Sequence, residues 1–271
     1  MYSGTTLTKM SGRLLGTHQK IDRIARKQLM RLVPELSGFP PIKRILHYEG
    51  KNGPDAIKRK SPARNEPWHF INPYDDKDML LLEVIQEHYD RLIQEFKAGN
   101  QERIAFEAAW LSHAMVDGLT PAHHYPYEEE LKDIRNHSEL SDIDTLKKKF
   151  VMPGNTTREL LSNNWRAWGP RGLKTAHTLF EMGVATLIAP LQFGEVLVTE
   201  ADIARLKKVG LQAWYRDTAR EIAVLDMYHN YIDKGWTPKL AWQVRHRLGP
   251  TLVKSVALAW HAALIESEAT K

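Results

Sequence analysis

The chain of 271 residues is 42% hydrophobic and 26% charged, a composition typical of folded globular proteins and not of disordered ones. It contains no cysteine, which excludes disulfide scaffolds, thiol catalysis and cysteine-based zinc sites, so any transition-metal site must use histidine with carboxylates. A net charge of +5 and a pI of about 9.2 fit an anionic partner such as a phosphate ester, a nucleic acid or an anionic membrane surface.

Apolar runs are short throughout the chain. None approaches about 18 residues, which predicts no transmembrane segment. The first sixteen residues, MYSGTTLTKMSGRLLG, lack the apolar centre of a signal peptide. The chain as given is therefore expected to be cytoplasmic, and the alternative is a secreted form that has already been processed.

Helical periodicity dominates the sequence and predicts helices over 18–33, 78–97, 101–117, 141–149, 172–188 and from about 199 to 233. Thr199 to Asp202 has the pattern of a capping box, Thr237-Pro238 begins the last helix, and Gly249-Pro250 should kink it.

Little helix is expected elsewhere. Seven prolines fall within 34–76, and 118–139 and 153–171 have the composition of loop and turn. Strand-like alternation is almost absent. The prediction is an all-α fold in which residues 1–271 form a single domain of seven or eight helices.

Histidine and a carboxylate are four residues apart at four places, and residues with this spacing share one face of a helix. The pairs are His18/Asp22, His113/Asp117, His177/Glu181 and His229/Asp233. An isolated pair of this kind is more often a surface or core contact than a pair of metal ligands. His229/Asp233 lies at a polar helix end, where the helix dipole favours histidine, and is interpreted as structural. His246 and His261 have no carboxylate at ligand spacing and are interpreted as non-ligands.

The segment HAMVDGLTPAHH, residues 113–124, places three histidines and an aspartate at the end of an apolar helical run. A partly buried group of this kind is costly unless its charges are matched, and a divalent cation would match them.

These residues resemble the zinc-dependent bacterial phospholipases C, which share an all-α fold with the fungal single-strand-specific nucleases. The family's HxxxD-x5-H element corresponds to His113, Asp117 and His123, with Pro121 matching as well. An early lone histidine corresponds to His18. Three further elements occur in the same order as in the family: Asp55, the histidine before an aromatic residue in Trp68-His69-Phe70, and the late pair His177/Glu181.

The resemblance implies two or three zinc ions (Zn²⁺). His69, His113 and Asp117 would hold one ion; Asp117 would bridge to a second, which also takes His18; and His123, His177 and Glu181 would hold the third. Asp55 would be the catalytic residue that contacts the metal-activated water. Imidazole with carboxylate suits Zn²⁺, and clustered metals suit in-line displacement at phosphorus.

The sequence departs from the family in one respect: no tryptophan precedes Trp68, whereas the family's mature N-terminal tryptophan completes the second metal site. Asp22 is the candidate replacement, because it follows His18 by four residues. Other positions leave alternatives open: His124 for His123, His137 for His177, and, for Asp55, the residues His47, Glu49, Asp75 and Asp76.

The function that the resemblance implies is a zinc-dependent phosphodiester hydrolase of phospholipase C type, acting on a phosphodiester substrate with transient contact to a membrane surface. One alternative is a single-strand-specific nuclease on the same fold. The second is a non-enzymatic helical protein with a structural metal site. Five aromatic residues, interpreted mainly as core, would stack on bases or surround a phospholipid headgroup: Trp68, Trp110, Tyr125, Trp165 and Trp168.

Overall fold

The computed structural model describes residues 16–34, 38–50, 52–60, 68–137, 143–193, 195 and 197–268, and every regular element within them is helical. The α-helices are α1 Thr17–Leu32, α2 Ile42–Glu49, α3 Pro54–Lys60, α4 Leu80–Ala98, α5 Gln101–Gly118, α6 Tyr127–Ile134, α7 Leu146–Phe150, α8 Thr157–Trp168, α9 Leu173–Ile188, α10 Glu200–Val209, α11 Leu211–Ala223, α12 Met227–Lys234, α13 Pro238–Gln243 and α14 Gly249–Glu268. The all-α prediction is confirmed, whereas seven or eight helices was too few.

The missed helices begin where prolines had suggested loop. Pro41 immediately precedes α2, Pro54 is the first residue of α3, and Pro126 immediately precedes α6. Proline is tolerated there because the first backbone N–H groups of a helix have no partner within it. The predictions of little helix over 34–76 and of loop over 118–139 were therefore wrong in part.

Helix α8 lies inside 153–171, which had been expected to form turns. The Thr156 hydroxyl accepts a hydrogen bond from the backbone N–H of Glu159 and so caps the helix. Glycine and proline at both ends of the segment had obscured this start signal. The short helix predicted over 141–149 is α7, Leu146–Phe150; residues 141 and 142 lie outside the described part of the chain.

The long helix predicted from 199 to 233 is three helices. The capping box of Thr199 and Asp202 is present at its start. Gly210, with φ +81°, then separates α10 from α11, and Asp226, with φ +49°, precedes α12. Such left-handed backbone conformations end a right-handed helix.

Helix α14 lies in the core, and its side chains are buried on nearly every side. A π-helical turn over Val244–Leu248 links it to α13, so the predicted distortion begins one turn before Gly249-Pro250. The stretch Pro238–Glu268 is long and apolar enough to span a membrane by composition, but 67% of its apolar window is buried inside the protein. It therefore gives no clear transmembrane segment.

One large hydrophobic cluster contains residues of α1, α4, α5, α14 and the four helices from α9 to α12. A second, smaller cluster lies among α6, α8 and the start of α9 and consists of Leu131, Ile134, Met152, Ala167 and Leu173. The interpretation of residues 1–271 as a single domain stays a prediction.

Candidate metal centre

The ligand-type residues predicted from the sequence come from separate elements of the fold. Helix α1 carries His18, α3 carries Asp55, α5 carries His113 and Asp117, and α9 carries His177 and Glu181. His123 ends a 3-10 turn over Pro121–His123, just after α5. These positions span residues 18 to 181, so only the folded chain brings them together.

The end of α5 is fixed by close packing. A Cβ atom at Gly118 would lie 2.2 Å from the Leu81 side chain and 2.4 Å from the Tyr215 hydroxyl, so only glycine fits there. The Tyr215 hydroxyl donates to the Met115 carbonyl at 2.8 Å. This packing holds the turn of α5 that carries Asp117.

The rings of His18 and His113 stack in parallel, with centroids 3.9 Å apart and planes 9° apart. Both Nε2 atoms face Asp117: His18 Nε2 lies 3.1 Å from Oδ1, and His113 Nε2 lies 3.2 Å from Oδ2. Each carboxylate oxygen therefore serves a different imidazole. A carboxylate in this position can accept a hydrogen bond from each ring, and it can also bridge two cations.

Glu49 lies on the opposite side of the same two rings. His113 Nδ1 is 2.8 Å from Glu49 Oε1, and His18 Nδ1 is 3.8 Å from the same oxygen. Glu49 is fully buried. With a proton on Nδ1 of His113 donated to Glu49, the Nε2 lone pair is directed to the Asp117 side, where a metal ion would bind.

His18, Asp55, His113 and Asp117 are called the first group. In it, Asp55 approaches the Nε2 side of the two histidine rings. Its Oδ1 lies 3.8 Å from His113 Nε2, and its side chain is 14% exposed. His18, Asp55 and His113 each offer a donor atom within 4.8 Å of the others. Asp55 is therefore the member of the group that solvent reaches.

A second group consists of His123, His177 and Glu181. Glu181 Oε1 lies 3.0 Å from His123 Nε2 and 3.1 Å from His177 Nε2. The two imidazole rings stack with planes 11° apart. His123 is buried, whereas the His177 and Glu181 side chains are 15% and 14% exposed, so this group borders the surface.

His69 lies between the two groups and belongs to neither set of donor atoms within 4.8 Å of one another. Its ring is 5.0 Å from that of His123, and the backbone N–H of Ile71 donates to the His123 carbonyl. His69 and His113 also line one small cavity of about 10 Å³, close to the volume that one water occupies.

The protonation of the buried histidines and carboxyl groups depends on their neighbours in each group. Burial disfavours the charged form of His113, but Glu49 and Asp117 outweigh burial and raise the pKa of His113 to about 10. Burial lowers the pKa of His123 to about 4, so this imidazole is neutral at pH 7. Burial opposes ionisation of Glu181, but neighbouring positive charge and hydrogen bonds with His177 and His123 hold the pKa of Glu181 well below its ordinary value.

The donor spacing fits zinc. Ligand atoms of a tetrahedral zinc site, with bonds of about 2.0–2.1 Å, lie about 3.3 Å apart. The four histidine–carboxylate distances in the two groups are 3.0, 3.1, 3.1 and 3.2 Å. His113 Nε2 is buried with Asp117 Oδ2 at 3.2 Å, so a zinc ion bound here would replace the proton on this nitrogen.

Asp22 is fully buried but is turned away from the Nε2 side. Its Oδ1 accepts a hydrogen bond from the Ser112 hydroxyl at 2.5 Å. Burial, and next the charge of Glu49, raise the pKa of Asp22 well above its ordinary value. Asp22 therefore stands beside Glu49, on the side of the rings away from Asp117. Its role as a ligand stays a prediction, and residues 1–15 lie outside the described part of the chain.

The alternatives to Asp55 are placed elsewhere, with one exception. His47 is exposed and bonds with Asn52; Asp75 is exposed and accepts from the backbone N–H of Lys77; Asp76 is exposed and pairs with arginines on α11. The exception is Glu49. Sequence reasoning kept it only as a rival for Asp55 and missed its contact with His113, because no local spacing links residues 49 and 113.

The alternative histidines are not in either group. His124 is half-buried and its Nε2 contacts the Gly118 carbonyl at 2.8 Å. His137 is 83% exposed, with Asp133 at 3.8 Å. His229 is exposed and bonds to Asp226 rather than to Asp233.

Comparison with known proteins adds no relative: no family model, no curated protein and no solved structure matches this chain.

Glu49→Gln should weaken zinc binding about 10–100-fold, the usual cost of losing the partner that orients a ligating histidine. Glutamine keeps the shape but removes the charge that directs the His113 lone pair. Competition with a chromogenic chelator measures the affinity. Glu83→Gln, an exposed change on α4, is the matched control. Equal zinc affinity in both variants would remove Glu49 from the centre.

Proposed function

We propose that the protein is a zinc-dependent phosphodiester hydrolase of phospholipase C type. One observation carries the proposal: two histidine–carboxylate groups lie at the two ends of the eleven-residue segment His113–His123. Structural zinc sites close their coordination with four protein ligands, whereas catalytic sites have three and keep a position open. The second group offers three donors among the described residues.

Zinc bound at such a centre activates water and offsets the negative charge that develops on a phosphodiester. Three contributions then come from the chain itself. Asp117 joins the His18 and His113 sides, because its two oxygens face different imidazoles. Glu49 fixes the proton on His113 Nδ1. Asp55, partly exposed on the Nε2 side, is placed to orient the attacking water by accepting a hydrogen bond from it.

No side-chain nucleophile is required by this chemistry. The chain has no cysteine, and the Ser112 hydroxyl near the first group is buried and donates to Asp22. Water is therefore the nucleophile in the proposal.

Of the aromatic residues, Trp68 and Trp110 are partly buried and pack against the core, and Tyr125 packs on Tyr228. Around the second group, the Phe70 and Tyr127 rings stack in parallel 5.4 Å apart, and Tyr127 lies 4.9 Å from the His177 ring. Aromatic rings so placed would suit either a phospholipid headgroup or a nucleobase, so the single-strand-specific nuclease remains the alternative.

The test is hydrolysis of p-nitrophenylphosphocholine and, separately, of single-stranded DNA by the purified protein. Turnover of the choline ester, lost in chelator and restored by zinc, is expected. Turnover of DNA alone would favour the nuclease. Stoichiometric zinc without turnover of either substrate would favour the non-enzymatic protein with a structural metal site.

Asp55→Asn should reduce turnover at least about 100-fold and leave zinc content nearly unchanged, because general-base assistance contributes about 10²–10⁴-fold. Steady-state rates and metal analysis of the same sample measure the two effects. Asp75→Asn, an exposed change outside both groups, is the control. Wild-type turnover in Asp55→Asn would assign the role to another carboxylate.

A further inference from the structure

An exposed apolar surface lies on α7 and α8, and we call it the α7–α8 surface. It consists of Phe150, Val151, Leu160, Leu161, Trp165 and Trp168, six of the sixteen large hydrophobic side chains that are exposed in the described part of the chain. Trp165 is 69% exposed and Leu161 is 64% exposed. A cluster of this kind within nineteen residues is unusual for a surface that faces only water.

The residues of this surface form a continuous ridge. Leu161, Trp165 and Trp168 follow one another at helical spacings of four and three, so they share one face of α8. The Phe150 ring stacks with the Trp168 ring, with centroids 6.2 Å apart, and the Trp168 indole N–H donates to the Phe150 carbonyl at 2.7 Å. Met152 and Ala167, the chain neighbours of Val151 and Trp168, are buried in the second hydrophobic cluster. The ring contact and the hydrogen bond of Phe150 and Trp168 thus join the end of α7 to α8.

Positive charge is concentrated around the ridge. Residues 147–174 contain seven lysines and arginines and one acidic residue, Glu159, a net charge of +6, whereas the whole chain carries +5. Lys147, Arg158, Arg166 and Arg171 are exposed. The rest of the chain is therefore close to neutral, so the excess positive charge lies in this segment, in which Lys148 also pairs with Asp144 at 2.8 Å.

We propose that the α7–α8 surface binds the headgroup region of an anionic phospholipid bilayer. Tryptophan at the interface, aliphatic side chains inserted below it and a rim of lysine and arginine are the features of interfacial membrane-binding helices. Transfer of the exposed Leu160, Leu161 and Val151 side chains from water into acyl chains is favourable. These side chains offer no polar contact to phosphates or bases. The basic rim complements the negative potential of anionic lipid.

The surface is adjacent to the second histidine–carboxylate group. Lys174 lies over the Trp168 ring at 5.4 Å and precedes His177 on α9 by three residues, about one turn. A bilayer bound here would present headgroups beside His177 and Glu181. This link to substrate rests on the proposed function, but the binding itself requires no hydrolysis.

The experiment is cosedimentation of the zinc-loaded protein with vesicles of phosphatidylcholine alone and of phosphatidylcholine with 30% phosphatidylglycerol. Binding should favour the anionic vesicles at least about 10-fold and weaken as salt rises. Asp55→Asn, which should keep its zinc and lose hydrolysis, should bind vesicles as well as the wild-type protein does, so that failure of hydrolysis and failure of binding are separate results.

Two double variants on α8 locate the surface, and each has a control variant elsewhere on the protein. Arg158→Glu/Arg166→Glu should lower the partition coefficient about 30-fold or more, since each basic residue near an anionic surface contributes about fivefold. Arg245→Glu/Arg247→Glu changes the net charge equally at exposed positions elsewhere and should have a much smaller effect. Leu161→Ser/Trp165→Ser should weaken binding to the anionic vesicles, whereas Trp242→Ser, 55% exposed on α13, should not.

Three outcomes would overturn the proposal. The first is equal binding by the α8 variants and their controls. The second is binding to single-stranded DNA, but to neither vesicle, that depends on Arg158 and Arg166. The third is a dimer, detected by sedimentation equilibrium, that depends on Leu161 and Trp165 in a protein that ignores vesicles.

Discussion

Asp117→Asn is expected to lower phosphodiester hydrolysis at least 100-fold and to remove zinc from the protein. Its two carboxylate oxygens face His18 Nε2 and His113 Nε2 at 3.1 and 3.2 Å, so one substitution weakens both sides of the first group. Loss of a partner outside the coordination sphere already costs about 10–100-fold, and a bridging ligand should cost more. Initial rates and zinc content of the same preparation measure the effect.

His124→Ala is the matched control for this variant and should be mild. His124 neighbours His123 in sequence, yet its ring contacts the Gly118 carbonyl and belongs to neither group. His123→Ala should instead be damaging. Loss of zinc in His124→Ala with wild-type behaviour in His123→Ala would show that the assignment is displaced by one residue.

Removal of metal is the second large effect. A chelator in excess should lower the melting temperature by about 10 °C, because ligand binding at 1,000 times its Kd stabilises a protein by about 4 kcal/mol, and each kcal/mol shifts the midpoint by about 2–4 °C at this size. Without a cation, the fully buried carboxyl groups of Asp117 and Glu49 lie on either side of the His113 ring, and keeping charged groups buried there is costly. Differential scanning calorimetry before and after dialysis measures the shift.

Asp117→Asn controls this experiment, since a variant that holds less zinc should respond less to the chelator. Readdition of zinc to the wild-type protein should restore the midpoint. Superimposable melting curves with and without chelator would contradict a metal that supports the fold.

The helices with long apolar periodicity were predictable from the sequence. Helices α1, α4, α5 and α9 have the predicted position to within about two residues, and Gly99 ends α4 with φ +71° as its type suggests. Buried positions repeat at helical spacing within each of these helices, and each helix spans four turns or more. Sequence reasoning can detect such elements because one face repeats several times.

Short helices were not predictable in this way. Helix α8 has a start signal in Thr156 and Glu159, but its Leu161 and Trp165 face solvent, so no apolar stripe pointing to the core marks it. Helices α2 and α3 contain one or two turns each. Helix α2 packs against α5, and a period of burial within a short segment does not reveal such a contact.

The candidate site divides similarly. Spacing within one helix indicated His113/Asp117 and His177/Glu181, and the structure brings each pair to within 3.2 Å. Glu49 could not be identified, because its contact with His113 joins residues 64 positions apart and depends on how α2 packs on α5. Long-range convergence is a property of the fold and not of local sequence.

Metal content is the most direct test of the central claim that two histidine–carboxylate groups bind zinc. Inductively coupled plasma mass spectrometry of protein purified without chelator, and again after incubation with zinc and gel filtration, should give two or three zinc ions per chain. Asp117→Asn should lose at least one of them, and Glu181→Gln should lose another. A wild-type protein with less than about 0.1 equivalent of any transition metal after incubation with zinc would contradict the account.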